Sequence, residues 1–227
     1  MTIPPMPTLR IAAAQSISLA GDIAANVLTH TRFIDAAHHA RVNLLLFPEL
    51  SLSGYELPLI QDCLLDANHP RLALIRSKVL ETNITVIVGA PVSMEKRAKP
   101  GIGAITFYPD GSHVVYCKRH LHPGEELFAA QGVVFSRRDE LLGKSFSLAI
   151  CADTSHETHA RNAAATGASL YLASVLVSEA GYAADSANMR RYASALKLGV
   201  LMANHGAPPV GMCRLVKVRF GHRAASS

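Results

Sequence analysis

Residues 145–175 read SFSLAICADTSHETHARNAAATGASLYLASV, and this stretch decides the class of the fold. The run 145–151 is apolar and short, as in a strand. Residues 156–166 are rich in alanine and suit a helix. Residues 169–175, SLYLASV, return to an apolar run of strand length. A strand, a helix and a second strand in about thirty residues is the sequence form of an α/β protein. The first strand runs straight into Cys151, Ala152 and Asp153. A free cysteine at the end of an apolar run is by default a small buried hydrophobe. It becomes a nucleophile only beside a base or a positive charge.

The same alternation extends in both directions. TLRIAAAQ (8–15), NLLLF (43–47), TVIVGAP (85–91) and VLMANH (200–205) read as strands. Residues 22–41, 71–82 and 185–198 read as helices, the first with Ile23, Val27, Phe33, Ile34 and Ala37 on one face. GAITFY (103–108) and HVVYCK (113–118) flank Pro-Asp-Gly, which predicts a hairpin. NLLLF is apolar throughout, as in a strand covered on both faces. Residues 93–101, SMEKRAKPG, read as an exposed loop. No internal repeat or linker divides the chain, so residues 1–213 form one expected domain. The expected class is α/β with mixed sheets covered by helices.

Composition narrows the function. Of 227 residues, 49% are hydrophobic and 17% charged, which excludes a disordered chain. No apolar run reaches the ~18 residues of a membrane span, so no membrane partner is expected. The N-terminus, MTIPPMPTLR, lacks the basic-then-apolar form of a secretory signal. Cys63, Cys117, Cys151 and Cys213 lie far apart with no CxxC pair, which predicts a reducing, cytoplasmic setting and no zinc site. The formal charge is +5, but Arg214, Lys217, Arg219 and Arg223 lie in a tail without acids. Without those four the balance is one positive charge, so no nucleic-acid partner is expected.

Three strand ends carry reactive groups. The run 43–47 leads to Glu49, the strand 113–118 ends in Lys118, and 145–151 ends in Cys151. Taken singly, Glu49 reads as a loop acid, Lys118 as an exposed strand end and Cys151 as packing. Together a carboxylate, an ammonium and a thiol form a base, an oxyanion stabiliser and a nucleophile. The segments LLLFPELSLSGYE, VVYCKRHLHPGEELF and LAICAD, in this order, resemble the three signature blocks of the nitrilase-like carbon–nitrogen hydrolases. The resemblance covers roughly residues 8–212. It implies a four-layer α-β-β-α sandwich that dimerises through helices into a homodimer or higher homo-oligomer. It implies Glu49 as general base, Lys118 as catalytic lysine, Cys151 as nucleophile and Glu125, in PGEELF, as a second functional glutamate. Lys118 and the backbone N–H of Ala152 would hold the oxyanion. It implies a small amide, nitrile or N-carbamoyl substrate, a thioester intermediate, and no metal or cofactor. One departure is TSHETHAR after the cysteine block, with His156 where the family often has proline.

Competing readings explain less. A papain-like pairing of Cys151 with the NH at 204–205 leaves Glu49 and Lys118 without a role. His120 and His122 alternate on one segment but lack a third ligand for a metal. GDIAAN and GIGAI are too weak for phosphate loops. Met189, Tyr192 and Leu196 form a stripe of core or dimer interface. Cys63 and Cys117 read as packing, and the Cys117 side chain should point away from that of Lys118.

The end of the chain departs further. After Cys213 the resemblance calls for G-x-S-x-[IV]-x-x-P-x-G, whereas the chain gives RLVKVRFGHRAASS. Read two bases later, permitted codons for this segment give A-G-K-S-A-I-W-A-P-G-S-L. Residues 214–227 are therefore expected to be an atypical, out-of-frame tail, and the intact enzyme to be longer and this one C-terminally truncated. The alternatives are a native short C-terminus, and a truncated remnant that is inactive or needs a partner.

Overall fold

The computed structural model describes residues 8–95, 97–134 and 138–206, and the backbone of 214–220. Cys213 lies outside these residues. Ten strands and four α-helices follow one another along the described chain. They are β1 (Leu9–Gln15), α1 (Ile23–His39), β2 (Leu44–Leu46), α2 (Ala73–Thr82), β3 (Thr85–Val92), β4 (Gly101–Phe107), β5 (His113–Cys117), β6 (Asp139–Leu141), β7 (Lys144–Ile150), α3 (Glu157–Ala165), β8 (Leu170–Ser174), α4 (Glu179–Ala195), β9 (Gly199–Ala203) and β10 (Arg214–Phe220). One sheet has the order β10-β1-β2-β3-β4-β5 and the other β6-β7-β8-β9. Both are mixed: β1, β2 and β3 run parallel, as do β7, β8 and β9, while the remaining neighbours are antiparallel. The fold is the expected α-β-β-α sandwich.

Side-chain alternation builds the layers. On β1, Leu9, Ile11 and Ala13 face the second sheet, and Ala12 and Ala14 face α1. On β7, Phe146, Leu148 and Ile150 enter the space between the sheets, while Ala149 packs toward Ala160 and Ala163 of α3. On β8, Leu170 and Leu172 point inward and Tyr171 and Ala173 outward. A period of two thus supplies two apolar faces per strand. This is why these runs lack polar alternation. Met189 and Tyr192 are core residues of the outer helical layer, and Leu196 packs against them.

Local chemistry sets the element ends. Asp22 caps α1 by accepting from the Ala25 amide at 3.0 Å. The Pro-Asp-Gly hairpin forms as expected, with Gly111 at φ +85°. Two elements differ from the sequence reading. α4 begins at Glu179, six residues before the expected start, because Ser178 accepts from the Gly181 amide and caps it there. β6 has only three residues, DEL, too short and charged for a periodic signal. Leu142 and Gly143, both at positive φ, turn it back onto β7.

β10 pairs antiparallel with all seven residues of β1, from Leu9 opposite Phe220 to Gln15 opposite Arg214. The backbone of this segment therefore occupies the sheet edge that a missing strand would leave unpaired.

Candidate active site

The ends of β2, β5 and β7 bring three side chains to one place. Glu49 follows β2 in a tight turn with Leu50 at φ +48°. That turn lies against β3. A Cβ on Gly89 would stand 2.3 Å from the Pro48 carbonyl and 2.4 Å from the Leu50 nitrogen. Gly89 N–H donates to Ser51 Oγ at 3.1 Å, and the Leu52 amide donates to Gly89 O at 2.9 Å. Only glycine permits this approach. Gly89→Ala is expected to displace Glu49 and lower kcat by at least about tenfold, since small misplacements of a reacting group are costly. Steady-state rates on any accepted substrate check this, with circular dichroism to show the fold retained.

Lys118 directly follows β5 and is fully buried. Its Nζ donates to Glu49 Oε1 and to Glu125 Oε1, each at 2.7 Å. Glu125 begins a 3₁₀ turn after Gly124. Its Oε1 also accepts from Tyr55 OH at 2.7 Å, and its Oε2 accepts the His122 amide at 2.8 Å. Glu49 Oε2 is buried and has no hydrogen-bond partner of good geometry among the described residues, while the Cys151 thiol stands close enough to interact with this carboxylate. Cys117, one residue before Lys118, packs instead into the core beneath α1 and α2, as strand alternation requires.

Cys151 begins a 3₁₀ turn, Cys151–Ser155, at the end of β7. Its φ is +41°, a strained value for a residue with a Cβ. The thiol donates weakly to the Leu176 carbonyl at 3.6 Å. Ala152 follows it, partly exposed. Burial and then the Glu49 charge push the Cys151 thiol up to about 12, against a smaller opposing pull from Lys118. The thiol thus rests protonated. Burial raises the Glu49 carboxyl above 4.5, although Lys118 pulls the other way. Burial disfavours the Lys118 ammonium, yet Glu49, Cys151 and Glu125 outweigh it and raise its pKa.

Asp153 holds this arrangement together. It is fully buried. Oδ1 accepts the Arg119 amide at 3.1 Å, the His120 amide at 2.8 Å and His120 Nδ1–H at 3.1 Å. Oδ2 accepts the Ile150 amide at 3.0 Å and Tyr116 OH at 2.7 Å. It therefore fastens the residues on either side of Lys118 and Cys151 to one carboxylate. Burial opposes the charge, but His120, His159 and Tyr116 hold its pKa below 3.8. Tyr116 OH accepts from His159 Nε2, and His159 Nδ1 accepts from Tyr171 OH, both at 2.8 Å. His156, in the place where the resemblance calls for proline, stacks on His120 at 3.9 Å between centroids.

With this geometry in view, the family is decided by the carbon–nitrogen hydrolase model, which matches residues 10–207. The chain belongs to the carbon–nitrogen hydrolase family. Solved structures of the nitrilase superfamily share the fold of this chain. A CN-hydrolase superfamily protein of Xanthomonas campestris, with an arsenic adduct in its active site, superposes with a TM-score of 0.84 at 20% identity, covering 95% of this chain and 91% of that one. A double mutant of the Nesterenkonia sp. AN1 amidase in complex with acrylamide gives 0.84 at 20% identity, covering 97% and 93%. Among curated proteins, glutamine-dependent NAD(+) synthetases of Mycobacterium bovis and Mycobacterium tuberculosis are 35% identical over 91 residues, 39% of this chain. That match spans only 13% of the length of these relatives.

Glu49, Lys118 and Glu125 are joined directly, and Cys151 acts on the same charges. Among the described residues no group of three histidine, cysteine, aspartate or glutamate side chains is placed to hold a metal ion. No helix among them is long and apolar enough to cross a membrane. Sequence reasoning assigned no role to Tyr55, Gly89, Tyr116, Asp153 or His159, and weighed His205 only as a papain-like partner of Cys151, which it set aside. Tyr55, Tyr116 and Asp153 stand inside the signature segments, which was the available signal; the others stand outside them.

Proposed function

We propose that this hydrolase cleaves a non-peptide carbon–nitrogen bond of a small amide through a Cys151 thioester, releasing ammonia or an amine. The observation that supports it is the buried group of Lys118 between two carboxylates, with the Glu49 carboxylate close enough to interact with the Cys151 thiol. Glu49 takes the thiol proton as sulfur attacks the carbonyl carbon. Lys118 Nζ and the Ala152 amide stabilise the oxyanion. The C–N bond breaks as Glu49 returns the proton to nitrogen. Water then gives a proton to Glu49 and cleaves the thioester, which yields the acid and frees the thiol. Glu125 orients Lys118 through its 2.7 Å bond. Amides are favoured over nitriles and N-carbamoyl compounds because the superposed Nesterenkonia amidase structures hold acrylamide and butyramide. The homodimer implied by the family resemblance is part of the same proposal and is read by light scattering.

Ammonia release by the 227-residue chain over a panel of amides, nitriles and N-carbamoyl compounds tests this reading. Primary amides are expected to be turned over fastest. No release from any compound would favour the inactive-remnant reading. The rate should fall as pH drops through the Glu49 pKa, which burial sets above 4.5, because a protonated Glu49 cannot accept the thiol proton. Glu49→Gln should remove activity and that acid limb together.

A further inference from the structure

A cavity of about 340 Å³ lies between the β1–α1 loop, the turn after Glu49 and the loop after β8. Its size is at the small end of ligand pockets. Its walls touch the catalytic group at three points. The Leu176 carbonyl accepts from the Cys151 thiol, Tyr55 OH donates to Glu125, and His205 Nε2 bonds the Glu49 carbonyl at 2.6 Å. Gly54, at φ +75°, lets the 54–56 segment pass close to Ala20 and shapes the opening.

The wall is rich in acceptors. A carbonyl cannot donate, so His205 Nε2 carries the hydrogen and its Nδ1 is an acceptor in the neutral ring. Burial lowers the His205 pKa and keeps that ring neutral. The Glu56 carboxylate is exposed at the rim, and no hydrogen bond or ion pair engages it among the described residues. Among the described residues no lysine or arginine lines the cavity. The Lys118 charge lies behind it, fully buried and held by two carboxylates. An anionic acyl group would meet Glu56 with no counter-charge, whereas an ammonium would find an open partner.

We propose that Glu56 is a specificity-determining residue, which selects small amides whose acyl chain ends in an ammonium or another strong hydrogen-bond donor and disfavours those that end in a carboxylate. This rests on the amidase reading for the location of the reacting carbon. The test uses three amides of similar length: 4-aminobutyramide, butyramide and succinamate. Each is titrated as a protector of Cys151 against iodoacetamide, with the Cys151 peptide followed by mass spectrometry. The folded 227-residue chain is used, and the assay needs no turnover.

The cationic amide is expected to protect at about tenfold lower concentration than succinamate. That advantage should shrink as salt is raised. Glu56→Gln should reduce it to about that of butyramide, and Glu56→Lys should invert the order. Equal protection by the cationic and anionic amides, or an order unchanged in Glu56→Lys, would overturn the proposal. Protection by none of the three would do the same. Ammonia release from butyramide, measured in parallel, judges the hydrolase reading separately. Charge discrimination without ammonia release leaves the pocket assignment standing and removes the reaction.

Discussion

Cys151→Ala and Cys151→Ser are expected to lose turnover by about 10⁴-fold or more, since removing a nucleophile leaves only binding and oxyanion stabilisation. Serine should fare little better than alanine. A thiol raised to about 12 still gives its proton to a carboxylate as the bond forms, whereas a hydroxyl is a far weaker acid in the same burial. Cys63→Ala and Cys117→Ala are expected to keep activity. Cys63 is buried in the core between the first sheet and its helices, and Cys117 packs against that core, where burial alone pushes its thiol up to about 11. Rapid quenching with a slow amide, followed by mass spectrometry, should find an acyl group on the Cys151 peptide. An adduct on Cys63 or Cys213 would contradict the assignment.

Lys118→Ala should affect activity and stability together. Loss of one oxyanion donor lowers kcat by about 10²–10³. The lysine is also the cation between two carboxylates, each almost fully buried. Its removal leaves both without a counter-charge, at a cost of about 3–5 kcal/mol at neutral pH. The sign with pH follows. Without Lys118 nothing offsets the burial that raises the Glu49 carboxyl, so its folded pKa stands further above the unfolded one and the native state binds more protons. Stability should therefore rise as pH is lowered from 7 toward 5. Urea unfolding at several pH values measures this. Lys118→Arg should keep more stability but little activity, because a planar guanidinium does not fit where one ammonium donates to two oxygens 2.7 Å away. If Lys118→Arg retained most of its turnover, the lysine would be structural.

The strands around the site were legible because each carries its pattern locally. LLLF is an unbroken apolar run and SFSLAIC lacks any charged residue, and β2 and β7 are indeed covered on both faces. The blocks holding Glu49, Lys118, Glu125 and Cys151 also lie at recognisable strand ends. By contrast, β6 escaped notice because three charged-to-apolar residues have no period. The start of α4 depends on a single cap rather than on its face.

Sequence alone thus determined the α/β class, the order of the strands and helices apart from β6 and β10, and which residue types stand at the strand ends, since period and turn chemistry involve near neighbours. The packed structure alone decided how those ends meet. Lys118 reaches Glu49 across 69 residues and His205 reaches the Glu49 carbonyl across 156. Asp153 ties Tyr116 to the cysteine turn across 37. Such bonds form only after two sheets have stacked and excluded water, and no local pattern encodes them. The same stacking sets the charge state of the site, because burial keeps the thiol protonated and raises Glu49 toward the range of a working base.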